Sequence, residues 1–172
     1  MILDIVVYPD RRLKKISQPV ELFDDELHTL LDSMYETMIA KNGVGLASVQ
    51  VGVAQRVLII NLPIEVAEDE TDQPKDNTIE MINPIITKSS GSSLHQEGCL
   101  SVPEFFEDIE RYESIEVEYQ DRDGNLQKIT NSEFLAVAIQ HEMDHLDGKL
   151  FIEKLSYIKR KKFEKEWKRR NK

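Results

Sequence analysis

The segment QHEMDHLDGKLF, residues 140–151, sets two histidines four places apart with a glutamate directly after the first. On an α-helix, residues four apart stand one above the other, so His141 and His145 project from one face with their rings close enough to share a metal ion. Glu142 lies about 100° further round the helix, beside such an ion rather than on it, where a base could take a proton from water. The run SEFLAVAIQHEMDHLD supplies the helix; Ser132 or Thr130 can cap its start with Glu133 assisting, and Gly148 ends it. A helix that carries a metal has to be packed round by the rest of the chain, so the fold question becomes what surrounds it.

Working outward, Leu27, Leu30, Leu31, Met34, Tyr35 and Met38 recur at helical spacing. They predict an N-terminal amphipathic helix over 24–41, capped by Asp24 or Asp25 and stopped at Asn42-Gly43. QRVLIINL and IEMINPII read as strands separated by an acidic surface loop, PIEVAEDETDQPKDN. SIEVEYQ alternates Ile115, Val117 and Tyr119 inward, turns through DRDGN and returns as LQKIT, a hairpin. Strands before and between helices predict an α+β fold: small antiparallel or mixed sheets around a central metal-bearing helix, with an N-terminal and a C-terminal helix.

At 172 residues with 40% hydrophobic content, the chain predicts one domain over 1–172. No apolar run suits a bilayer, and MILDIVVYPDRRLKK lacks the pattern of a signal peptide, so a cytoplasmic protein with no membrane partner is expected. The net charge of −10 is uneven: residues 156–172 sum to +7 and residues 1–155 to −17. The acidic body argues against specific DNA binding; the basic C-terminal helix is either a solvated face or a contact for an anionic partner.

The two histidines need a third ligand. In zinc peptidases it is a downstream Glu, or the third His of an extended motif, and Phe151 stands at that position here. Glu153 is too near, and Glu164 and Glu166 lie in the basic tail. His28 and His95 have no partner at ligand spacing and read as ordinary surface residues. Cys99, the single cysteine, sits in EGCLSVPE, where Glu97, Gly98 and Pro103 shape a tight turn. One Cys and two His make a three-ligand site with a position left for water, as a catalytic metal requires; structural sites usually close with four protein ligands.

GVGLASVQ (43–50), EGCLS (97–101) and QHEMDH (140–145) together resemble, in order, the three signature motifs of the peptide deformylases, and the likeness extends from YPDRRLKK to LDGKLF. The resemblance implies removal of the formyl group from the N-terminal formylmethionine of newly made proteins. It implies one divalent ion on Cys99, His141 and His145, characteristically Fe2+, with Zn2+, Ni2+ or Co2+ able to substitute. Glu142 becomes the proton shuttle, and the Gln50 side chain with the Leu100 N–H the donors to the oxyanion. On residue type alone, Gln50 reads sooner as a loop-stabilising amide. No acyl-enzyme is needed, so neither Ser48 nor Ser101 has to be a nucleophile.

The resemblance also implies that Gly43, Val44 and Gly45 pair with an extended peptide. It turns Phe134, Val137 and Ala138, which could simply be core, into a wall for the methionine side chain. Nascent N-formylmethionyl peptides would be the substrate, and the basic tail would meet the ribosome, with Phe163 and Trp167 packed on the body. Phe105 and Phe106 depart from the family's polar segment, forming either an exposed apolar rim or part of the core. A zinc endopeptidase is the alternative reading and a non-enzymatic metal-binding adaptor the third.

Overall fold

The computed structural model describes residues 1–171. Among them, nine strands and three α-helices follow the order α1 (Asp25–Ala40), β1 (Gly45–Ala47), β2 (Val57–Ile60), β3 (Ile64–Ala67), β4 (Glu70–Asp72), β5 (Ile79–Ser90), β6 (Ser93–Cys99), β7 (Val102–Arg111), β8 (Ser114–Gln120), β9 (Leu126–Asn131), α2 (Phe134–Leu146) and α3 (Tyr157–Arg170). The architecture is α+β. β1, β2, β5, β8 and β9 form one sheet in that order, while β3–β4 and β6–β7 are separate hairpins. Among the described residues all the strand pairs are antiparallel, and a single parallel bridge joins Gln18 to Gln55.

Helix α1 forms where its apolar spacing predicts. The Asp24 side chain accepts the Leu27 N–H at 3.1 Å, satisfying one of the first-turn donors that a helix leaves open. The left-handed residue that ends it is Asn42, at φ 58°, rather than Gly43. Its buried face, Leu27, Leu31, Met34 and Met38, packs with Leu46, Val57, Ile59 and Ile82 on one side of the large sheet. Helix α2 lies on the other side, where Ala136, Ala138, Ile139 and Leu146 meet Ala47, Leu58, Ile60, Met81, Ile115 and Val117. The expected central metal-bearing helix is therefore seated against the sheet on its apolar side.

Its cap is a correction. Neither Ser132 nor Thr130 caps α2; Asn131 does, its Oδ1 accepting the N–H of Glu133 at 2.8 Å and of Ala136 at 3.1 Å. An Asn carbonyl at the end of β9 reaches both donors across the bend. Gly148 ends the helix as expected, at φ 73°, and a Cβ there would lie 2.4 Å from the Lys14 carbonyl oxygen, so the N-terminal segment fits only over glycine.

Two regions depart from the sequence reading. The acidic loop contains the β3–β4 hairpin, exposed along its length. His95 and the PEFFEDIER segment lie on the β6–β7 hairpin, which presents Cys99 at the end of β6. The basic tail forms α3 with Phe163 buried, packed among Tyr8, Phe105 and Trp167; Lys172 lies outside the described residues. Among the described residues, no helix is long and apolar enough to cross a membrane.

Candidate metal centre and active site

Two elements converge beneath one cavity. α2 brings His141 and His145 one turn apart, and the tight turn between β6 and β7 brings Cys99 to them. One ligand atom from each of the three lies within 4.8 Å of the other two. Cys99 Sγ is 3.4 Å from His145 Nε2. Glu142 Oε1 stands 3.7 Å from His141 Nε2 and 4.0 Å from His145 Nε2, beside the cluster and aimed at it.

His141 is oriented from behind. Its Nδ1 lies 2.8 Å from Glu97 Oε1, which turns Nε2 toward the thiol. Glu97 is in turn gripped by Arg111, whose Nε and Nη2 donate to its two oxygens at 2.6 and 2.9 Å. A third donor, Arg111 Nη1, reaches Asp144 on α2 at 2.7 Å. Arg111 and Glu97 are both buried, so each charge depends on the other. Burial alone would raise the Glu97 carboxyl, but the hydrogen bonds from Arg111 and His141 hold it below its ordinary range. Sequence reading gave Glu97 only a turn-shaping part and passed over Arg111; a buried arginine on a strand looks polar in the pattern.

Burial also acts on the other titratable groups. It pushes the Glu142 carboxyl up to about 7, with opposition from His141. It drives His145 well below its usual range, helped by His141 and Arg111. For His141 burial works the same way, yet Cys99, Glu97 and Glu142 outweigh it and hold that ring well above its usual value. Glu142 Oε2 and His145 Nδ1 are buried with no hydrogen-bond partner among the described residues. A soft sulfur and two imidazoles, converging in a cluster rich in carboxylates, suit a divalent transition-metal ion. The donor set fits the expected cofactor.

Gln50 is held at both ends. Its Oε1 accepts the Ala47 N–H at 2.9 Å, while its Nε2 donates to Ser101 Oγ at 3.0 Å and lies 3.5 Å from Cys99 Sγ. It braces the loop and also brings its amide to the sulfur. The N-terminal segment supports the same parts: the Val6 N–H donates to the Gln50 carbonyl at 2.7 Å and the Tyr8 N–H to the Ser101 carbonyl at 2.8 Å. Phe151 is buried against the His141 ring, with centroids 5.8 Å apart, and so acts as a wall to that imidazole.

A cavity of about 470 Å³ opens over the cluster. Gly43, Val44 and Gly45 line it with Gln50, Cys99, Leu100, His141 and Glu142, as do Phe134, Val137 and Ala138 from α2. His145 does not line it. Val137 and Ala138 are buried and Phe134 is half exposed, while Ala138 also belongs to the core. β1 is an edge strand. The Asn61 N–H donates to the Val44 carbonyl at 2.8 Å, so by antiparallel alternation the N–H and C=O of Gly45 face the free side. A Cβ on Gly45 would stand 3.1 Å from Glu142 Cγ, which sets one face of Gly45 against the Glu142 side chain. The aromatic pair is split: Phe105 packs on Phe151 and Phe163, and Phe106 lies over Gly98 at the cavity rim, 62% exposed. His28 is remote from the cluster, its Nε2 2.9 Å from the Arg122 carbonyl oxygen.

Comparison with known proteins gives this geometry a family. The polypeptide deformylase family model matches residues 2–161. The chain is 54% identical to a peptide deformylase from Nautilia profundicola, covering 98% of this chain and 94% of that one. The fold is similar to that of a peptide deformylase from Ehrlichia chaffeensis, with a TM-score of 0.87, 40% identity and coverage of 100% and 98%. It is also similar to one from Acinetobacter baumannii with Met-Ala-Ser bound, at a TM-score of 0.81, 36% identity and coverage of 90% and 99%. The chain belongs to the polypeptide deformylase family.

Proposed function

We propose that the protein hydrolyses the formamide of N-formylmethionyl peptides, with Cys99, His141 and His145 holding one divalent ion and Glu142 moving the proton. The observation that carries this reading is the convergence of Cys99, His141, His145 and Glu142 beneath a cavity whose wall is a free strand edge. When bound, the ion would supply Lewis-acid polarisation of the formyl carbonyl and a water acidic enough to attack at neutral pH.

The remaining work falls to the chain. Gly45 pairs with the backbone of the methionine residue, and Val137 and Ala138 wall its side chain, with Phe134 at the mouth. Glu142, with its carboxyl near neutrality in proton affinity, accepts the water's proton. The water oxygen bonds to the formyl carbon, and the carbonyl oxygen takes the negative charge. The Gln50 amide, already fixed by Ala47 and Ser101, donates to that oxygen together with the Leu100 N–H. The C–N bond then breaks, Glu142 returns its proton to the amine, and formate leaves. Only a carbonyl bearing hydrogen fits between the cluster and these donors, so formyl is preferred over larger acyl groups.

Several finer assignments belong to the same reading. We assign Fe2+ as the native ion, supported by the family resemblance and by a thiolate–imidazole donor set that would also take Zn2+, Ni2+ or Co2+. The substrates are newly made chains, so the protein works in the cytoplasm, near the ribosome, which α3 would contact; residues 1–172 act as one catalytic domain. The zinc endopeptidase reading is disfavoured by Phe151, which occupies the place of a third histidine with an apolar wall.

The test is formate release from formyl-Met-Ala-Ser, with metal per chain measured on the same oxygen-free preparation. Turnover in proportion to iron is expected, with no cleavage of internal peptide bonds. Internal cleavage without formate would return the peptidase, and activity independent of metal content would remove the ion from the mechanism.

A further inference from the structure

The segment that faces the cavity is gripped from outside by a residue of the acidic loop. Gln73, just after β4, donates both hydrogens of its amide to backbone carbonyls: to Gly43 at 3.0 Å and to Asn61 at 2.7 Å. The Gln73 backbone carbonyl accepts the Tyr35 hydroxyl of α1 at 2.6 Å. Asn61 is buried and completes the lock, its N–H donating to the Val44 carbonyl and its Nδ2 to the Pro74 carbonyl at 2.8 Å and to Thr78 Oγ1 at 3.0 Å. On the opposite side Gly43 meets Leu100, where a Cβ would stand 2.9 Å from Leu100 Cδ1. Gly43 is thus held between Gln73 and Leu100.

We propose that Gln73 is a positioning residue that preorganises the Gly43–Gly45 edge for the downstream part of the peptide, a role that rests on the reading of this edge as the peptide-pairing strand. β1 is a three-residue edge strand with glycine at its start, and a glycine-rich segment has more backbone freedom to lose than any other. Without an outside grip, a bound peptide would have to order it at the expense of affinity. Direction follows from the geometry. Gly45 lies against Glu142, so the formylated end sits there and the following residues run toward Gly43, where Gln73 holds the carbonyl.

The consequence is a dependence on peptide length. Gln73→Met keeps the side chain's length and removes the donors, and Gln73→Glu sets a carboxylate against two carbonyls. With formyl-Met-Ala and a formyl-Met tetrapeptide as substrates, Gln73→Met should raise KM about tenfold for the tetrapeptide. For the dipeptide KM should change less than threefold, and kcat should stay within about twofold for both. Gln73→Glu should do the same more severely. Amide hydrogen exchange at residues 43–45 should accelerate in Gln73→Met, a readout independent of turnover. Tyr35→Phe, which removes only the hydroxyl that fixes the Gln73 backbone carbonyl, should act in the same direction with smaller size and serves if the Gln73 variants fold poorly. Equal KM losses on both substrates, or a fall in kcat alone, would make Gln73 a plain loop anchor. A wild-type length advantage kept in full by Gln73→Met would overturn Gln73 alone. A wild-type protein with no length advantage would overturn the pairing edge, and this role with it.

Discussion

Glu142 and His145 stand a turn apart on the same helix, and their side-chain atoms face different surroundings. His145 is buried with Nε2 at the thiol, whereas Glu142 stands beside both imidazoles with one oxygen unpartnered. A ligand and a proton shuttle should fail differently. Glu142→Gln keeps the shape and a polar group, so metal per chain should be retained while turnover falls by roughly 10²–10⁴-fold, the range for losing general acid–base help. His145→Ala removes one of three ligands, so metal and activity should fall together. Loss of metal in Glu142→Gln would make Glu142 a ligand. The spacing of these residues was legible from the sequence because a helix enforces it. Arg111, which orients His141 through Glu97, was not, since its partners lie 14 and 33 residues away and no local pattern joins them.

Elements built on a clean burial period were read from sequence, and elements that violate it were missed. α1 and the β8–β9 hairpin show their apolar periods openly, and β8 spans the same residues as the predicted strand. In β6, Leu94 is exposed and Glu97 is buried, the inverse of the usual alternation, because the strand serves the Cys99–His141–His145 cluster rather than the core. β7 buries Arg111 beside Ile109 for the same reason, and β3 and β4 bury nothing, so neither carries a signal. The cap of α2 was misplaced by one residue. Asn131→Ala removes the acceptor of the Glu133 N–H and leaves the Ala136 N–H only the Glu133 carbonyl, and should cost about 1 kcal/mol, near the typical value for a lost N-cap. For a chain of this size that is a fall in Tm of about 2–4 °C, read by thermal unfolding. An ion-pair network ties the β8–β9 turn to α1: Arg122 bonds both oxygens of Glu80 and also Asp32, which Lys75 contacts as well. Partial burial would raise Asp32, but Arg122 and Lys75 hold it below its ordinary range. A depressed carboxyl stabilises the fold above its unfolded-state value, and the gain is lost as pH falls through the folded value. Asp32→Asn should therefore lower Tm slightly at neutral pH, and the difference from wild type should close once the pH drops below the ordinary carboxylate range.

At the scale of the whole molecule, α3 joins the core that backs the Cys99–His141–His145 cluster to an outward basic surface. Phe163 is 1% exposed and stacks with Tyr8, Phe105 and Trp167, and Phe105 in turn packs on Phe151, the wall of His141. Removing the helix would open that cluster at a cost of about 3–5 kcal/mol for the phenylalanine alone, so a truncation could not separate ribosome contact from stability. Charge reversal can. Lys162, Lys165 and Lys168 are exposed on the helix and none forms an ion pair among the described residues. Replacing all three with Glu changes the local charge by six units and leaves Phe163 and Trp167 in place. If the basic face meets ribosomal RNA, the triple variant should lose its salt-sensitive ribosome binding, and the slope of log affinity against log salt should flatten, as expected when phosphate contacts are removed. Turnover of formyl-Met-Ala-Ser and Tm should stay near wild type, because no catalytic or core residue is touched. Binding that persists with an unchanged salt slope would leave α3 as a solvated helix whose work is to cover the core behind His141.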